Sequence, residues 1–271
     1  VEKRLLSKNS QRAVHFNMPG LLLSLLVAVL APAPSGNSDE SDQGISGCVV
    51  LLHGLGRTEL SMKPLQWELS EAGYEVVNPS YPSLFYPIPE LAVTTVEESI
   101  RQCRSLGQRQ INFVTHSLGG ILVREYLSHR DIPGLQRVVM LGPPNQGSEV
   151  ADYVHSLRLL RPVTPVVIEQ LGTGEQSIVR KLGPVNFELG VIAGTSNTLG
   201  FLPGFPEGDS DGTVTVGETV VIGMQDFLEL PVSHTFMIWD RDVIQQVVHF
   251  LRNGKFYRSN AFMPNPGTDQ E

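Results

Sequence analysis

The sequence predicts an α/β domain: a sheet of about six mainly parallel strands with helices on both faces. Three observations carry this. Short, continuously apolar, β-branched runs recur along the chain, among them Cys48–Leu52, Ile111–Val114 and Leu189–Ala193. Such runs suit strands covered on both faces. Segments with apolar residues at helical spacing lie between them, as in Ser61–Ala72 with Met62, Leu65 and Leu69. The strand-like runs end in turn-forming residues, where parallel sheets place their sites.

Residues 1–36 do not read as part of that domain. Lys3, Arg4, Lys8 and Arg12 form a basic start, Leu21–Ala31 is apolar apart from Ser24, and Ala31–Gly36 is rich in small residues and proline. This order is that of a secretory signal. The apolar run is short for a membrane span, which needs about 20 residues. The expectation is an exported protein, periplasmic or secreted, with a retained N-terminal anchor or an upstream extension before Met18 as alternatives. Removing residues 1–33 would take away four positive charges and one negative charge, leaving the chain more acidic than its formal −8. Residues 37–46, rich in Ser, Asp, Glu and Gly, read as a linker. Ile45-Ser46-Gly47-Cys48 superficially matches a bacterial lipoprotein box, but it lies too far beyond the apolar run, and Cys48 opens a strand.

In chain order, the first strand, Cys48–Leu52, ends at His53-Gly54-Leu55-Gly56. The helix over 61–72 follows, then a strand at Tyr74–Val77, a proline-broken loop, and a helix over Pro89–Leu106 with Val96, Ile100 and Cys103 on one face. Ile111–Val114 runs into Thr115-His116-Ser117, and a helical pattern, Leu118–Leu127, starts at once. A strand turning sharply into a helix with serine at the corner is a nucleophile elbow, usually Gly-x-Ser-x-Gly; Thr115 stands at its first position. A helix N-cap serine is the alternative reading of Ser117. Arg137–Leu141 is the fourth strand, ending at Gly142-Pro143-Pro144. Residues 148–187 are less regular; Tyr153, Val154, Leu157, Leu159 and Leu160 would either line a pocket or lid, or belong to an excursion packed on the core. Leu189–Ala193 is the fifth strand, Thr213–Ile222 reads as extended, Phe227–Val232 is the last strand and His234 follows it. Arg241–Leu251 closes the domain with Val243, Ile244, Val247, Val248 and Leu251 on its apolar face, and 257–271 reads as a loose tail.

Composition narrows the function. Net charge is −8, which argues against nucleic acid as the main partner. No Cys/His set has zinc spacing, and there is neither a GxGxxG nor a Walker A loop. No metal or cofactor is expected. Glu207, Asp209 and Asp211 could suggest calcium, but a catalytic acid with solvated neighbours is the simpler reading.

Ser117, Asp211 and His234 occur in that order, each after an expected strand. With VVLLHGLGR, THSLGG, VVMLGPPNQGSEVAD, DGTVTV and PVSHTFM, the chain resembles an α/β-hydrolase of the small serine lipase and esterase group, over roughly residues 46–256. The resemblance implies a reduced α/β-hydrolase fold without the usual antiparallel first strands. It implies Ser117 as nucleophile, His234 as general base and Asp211 as its orienting acid. It also implies an oxyanion hole from the backbone N–H groups of Leu55 and Leu118. Asp211 is preferred to Asp209 because Gly212 and an alternating segment follow it. His53 is expected to hydrogen-bond the loop behind the oxyanion hole. His116 would line the pocket or pack, and Tyr81 would shape the pocket. FLPGF, Phe201–Phe205, would add apolar groups to a mostly apolar cleft. The implied activity is hydrolysis of short to medium acyl esters through an acyl-enzyme. Acyl transfer and non-catalytic acyl-lipid binding are the alternatives. The partner would be a small ester or a lipid, with contact to a lipid interface open. Cys48 and Cys103 are expected at the same end of the sheet, as buried thiols or, less readily, as a disulfide.

Overall fold

A computed structural model describes residues 47–157, 159, 164–175, 177–206 and 208–258. The signal-like segment, the linker and residues 259–271 lie outside these, as do Leu160 and Glu207.

Six parallel strands form one sheet, in the order β2-β1-β3-β4-β5-β6. They are β1 Cys48–Leu52, β2 Glu75–Val77, β3 Ile111–His116, β4 Leu135–Leu141, β5 Glu188–Gly194 and β6 Asp226–Leu230. The helices are α1 Lys63–Glu71, α2 Ile88–Ser105, α3 Leu118–His129, α4 Glu149–Ser156, α5 Val166–Leu171, α6 Val216–Thr219 and α7 Arg241–Asn253. The two-residue alternation of a strand sorts the core into two layers. Val49, Leu51, Val114, Val139 and Ile192 face Leu65 and Leu69 of α1 and the apolar stripe of α7. Val50, Leu52, Phe113, Val138 and Val191 face α2, α3 and α5 on the other side. Truncating a fully buried member such as Leu65 to Ala would cost about 2–5 kcal/mol.

Caps end the helices where the side chains allow it. Asp240 accepts from the amides of Asp242 and Val243, and Gly254 closes α7 in the left-handed region at φ 70°. One expected element differs. Thr213–Ile222 is not extended: Ser210 and Thr215 bridge across a tight turn, and Thr215 and Glu218 form a capping box that starts α6. The Thr-x-x-Glu spacing carries that signal, and it outweighs the β-branched residues around it.

The thiol expectation is also corrected. Cys48 and Cys103 form a disulfide with Cα atoms 5.7 Å apart. The cause is topological. Passing from edge strand β2 to β3, α2 crosses over β1 and brings its last turns to the strand's amino end. Closing a loop of this length is worth about 4 kcal/mol in the chain-entropy account.

Candidate active site

Ser117 sits between β3 and α3 with φ 52° and ψ −119°, the one positive-φ residue other than glycine among the described residues. Side chains rarely adopt such a backbone, so the surrounding structure must impose it. Ser117 N–H donates to Leu141 O at 2.9 Å, and Gly120 N–H donates to Ser117 O at 3.0 Å. Two glycines permit the corner. A Cβ at Gly119 would lie 2.5 Å from Leu52 O, and one at Gly120 would lie 3.2 Å from Thr115 Oγ1. The second contact explains how threonine fits where the pattern has glycine: Gly120 leaves the room its hydroxyl takes. Ser117 makes no side-chain capping bond, so the N-cap reading does not describe it.

Asp211 and His234 meet beside it. His234 Nδ1 lies 2.7 Å from Asp211 Oδ2. The Asp211 side chain is fully buried; its Oδ1 accepts from the amides of Thr213 at 2.9 Å and Val214 at 2.8 Å. The backbones pair as well, with His234 N–H donating to Asp211 O at 2.9 Å. A carboxylate accepting backbone N–H bonds acts as acceptor towards the ring too, so Nδ1 carries the ring proton and Nε2 is left with its lone pair. Asp209 is exposed.

Gly142, at the end of β4, was not singled out from sequence. Its φ is 53°, and a Cβ there would lie 2.9 Å from Asp211 Oδ2 and 3.1 Å from His234 Nδ1. It must lack a side chain for the acid and imidazole to meet. A glycine closing the strand next to the elbow strand was the available signal.

The turn after β1 is tied down by His53 and Tyr81. His53 Nδ1 donates to Gly54 O at 2.9 Å, as expected of a residue behind this loop. The Tyr81 hydroxyl donates to His53 O, and the two rings stack at 3.9 Å. Burial lowers the His53 pKa and raises that of Tyr81. Gly54 O and Leu55 N–H share one planar peptide and point opposite ways. Holding the carbonyl therefore aims the Leu55 amide away from His53. Leu118 supplies the first amide of α3, which has no partner inside the helix.

A cleft of about 230 Å³ opens over Ser117 and includes His116 and His234. Its wall is mostly apolar: Leu55, Pro144, Val150, Ala151, Val154, Ile168, Leu171 and Val214. In the described part of 148–187, α4 and α5 pack together and present Val154, Ile168 and Leu171 to the cleft, so Val154 lines it among the residues expected there. Leu159 is exposed and Tyr153 lies against Gly204. Two expectations are corrected. Tyr81 does not line the cleft, because its ring and hydroxyl are spent on His53. No residue of Phe201–Phe205 lines it either, because that loop lies outward with Phe201 80% exposed. His116 does line it and is almost wholly buried. Among the described residues no group of three or more His, Cys, Asp or Glu side chains is disposed to hold a metal ion.

Residues 49–256 of this chain match the model of the alpha/beta hydrolase family. The chain belongs to the alpha/beta hydrolase family. No curated protein matches it by sequence. Solved structures share the fold at low identity. The mature Bacillus licheniformis lipase BlEst2 is 18% identical with a TM-score of 0.61, over 76% of this chain and 91% of that one. A metagenomic carboxyl esterase is 19% identical with a TM-score of 0.57, over 69% and 64%. A Pyrococcus furiosus esterase is 16% identical with a TM-score of 0.57, over 78% and 83%. Within this hydrolase family the six-stranded parallel sheet is the form this chain takes, as the sequence predicts.

Proposed function

We propose that this alpha/beta hydrolase is a serine carboxylic-ester hydrolase acting on short to medium acyl esters. The observation that carries the reading is the bond from His234 Nδ1 to the buried Asp211, which leaves Nε2 available as a base on a residue that lines the same cleft as Ser117. His234 Nε2 takes the Ser117 proton as Oγ attacks the ester carbonyl carbon. The carbonyl oxygen becomes an oxyanion, held by the amides of Leu55 and Leu118. As the C–O bond to the alcohol breaks, His234 returns the proton to the leaving oxygen and an acyl-Ser117 ester remains. Water, deprotonated by the same nitrogen, attacks that ester; the carbon–Oγ bond breaks, His234 returns the proton to Ser117 Oγ, and the acid leaves. Asp211 keeps its negative charge throughout and stabilises the imidazolium.

Size supports the substrate range. About 230 Å³ is below the ~300–1,000 Å³ of drug-sized ligand pockets, which favours short and medium acyl groups in the apolar cleft. The esterases and lipases sharing the fold agree with an ester substrate. Export is part of the proposal, supported by the Cys48–Cys103 disulfide, which suits an oxidising compartment. A panel of p-nitrophenyl esters from acetate to palmitate tests the activity on the wild type and Ser117→Ala. Turnover should peak at short or medium chains and fall by roughly 10⁶ in the variant. Retained turnover in pure Ser117→Ala would sink the assignment. Fastest turnover on long-chain emulsions would reverse the chain-length choice.

A further inference from the structure

Among the described residues three hydrogen bonds hold His234 in place. Two come from Asp211: Oδ2 on the ring and the main-chain carbonyl on the amide. Both orient the base relative to its acid. The third joins the His234 carbonyl to His116 Nε2 at 2.9 Å. His116 is the last residue of β3, the strand that ends at Ser117. This bond alone of the three reaches the base from the nucleophile's own strand.

We propose that His116 is a positioning residue for the general base, tying the His234 loop to the nucleophile strand through its Nε2–H. The proposal rests on the reading of Ser117 and His234 as nucleophile and base.

The ring chemistry follows from the partners. A carbonyl only accepts, so His116 Nε2 carries the proton and Nδ1 has the lone pair. Nδ1 is buried without a hydrogen-bond partner and lies against Gly54, where a Cβ would be 2.8 Å away. A second proton there would make a buried cation with no acceptor. The groups facing it oppose that charge too: burial first, then His234, with Arg57 and His53 adding to it, hold the His116 pKa well below its usual value. The His116 ring lies 4.7 Å from the His234 ring, so a cation on it would resist the imidazolium that catalysis needs. A neutral ring of fixed tautomer keeps its grip on the carbonyl while His234 gains and loses its proton.

The test compares His116→Ala, His116→Asn and His116→Gln in the purified full chain, measuring kcat and KM on p-nitrophenyl butyrate together with Tm. A glutamine amide N–H reaches about as far as histidine Nε2; an asparagine amide reaches only about as far as Nδ1. Ala and Asn should lose kcat on the order of 10²-fold with KM little changed, as expected of a misplaced base. Gln should recover most of it, and Tm should not rank the variants. Asn matching Gln at equal Tm, or Ala within threefold of wild type, would overturn the proposal. If no variant folds, ¹⁵N shifts of the wild-type imidazoles decide: His116 must be neutral and protonated at Nε2 across the range in which His234 titrates, and an Nδ1–H or doubly protonated ring there overturns the proposal. This readout needs no turnover, so it separates failure here from failure of the Ser117 assignment, which Ser117→Ala reports.

Discussion

Ser117 and His234 line the same cleft, yet the chain holds them by different means. Ser117 stands between β3 and α3, which follow one another directly, and its strained backbone is clamped by the sheet and by glycines that let helix and strand close up. Asp211 and His234 come from loops after different strands, 23 residues apart, and meet only because β5 and β6 are neighbours. Ser117 is held by its direct chain neighbours and by the close approach of α3 to the sheet. Asp211 and His234 are held by hydrogen bonds between loops. Side chains matter most on the second arm, and backbone permissiveness on the first.

That difference can be broken from the acid side. Asp211→Asn keeps the shape but presents the wrong group to His234 Nδ1–H, so kcat should fall on the order of 10⁴-fold with the fold retained, while Asp209→Asn changes it little. Steady-state kinetics with circular dichroism on both variants checks this; equal losses would mean the acid has been misassigned. Gly142→Ala attacks the pair through packing. A Cβ 2.9 Å from Asp211 Oδ2 must displace the carboxylate or the ring. We expect a loss on the order of 10²-fold in kcat, with the downfield proton resonance of the His234–Asp211 bond shifted or lost. An unchanged resonance and rate would show that the loop absorbs the methyl.

A smaller effect separates the walls of the cleft from its chemistry. Val154→Trp should fill space beside Ser117 and move the preference toward shorter acyl chains by roughly tenfold. Ratios of kcat/KM across an ester series measure it, and a uniform loss at every chain length would place Val154 outside the acyl site. The smallest catalytic effect belongs at the far end of the sheet. Replacing both Cys48 and Cys103 by Ser should lower stability by about 2–4 kcal/mol in urea unfolding and leave kcat within about twofold. A large loss of kcat in the still-folded variant would mean that the two ends of the sheet are coupled.

The two arms were not equally legible. The elbow is written in consecutive residues, Ile111 to Gly120, so period and composition suffice to place it. β1 is found at its expected bounds for the same reason, being a short buried run. Gly142 could not be assigned from its neighbours, since its role comes from residues 69 and 92 positions further on. Tyr81 could not be placed from sequence either, since whether a tyrosine at a strand end lines a pocket depends on where its hydroxyl goes, here to His53 O.

Strand and helix order, the strained serine corner and the spacing of candidate acid and base all follow from the sequence alone, because they depend on local preferences and on the sheet rule that puts loops at strand ends. The tertiary structure decided the rest. It closed the disulfide through the crossover of α2, turned Phe201–Phe205 outward and set His116 against the His234 carbonyl. The disulfide and the His116 bond pair groups far apart in the chain, and which long-range contact forms depends on strand order and helix crossing, where periodicity in a single segment carries no information.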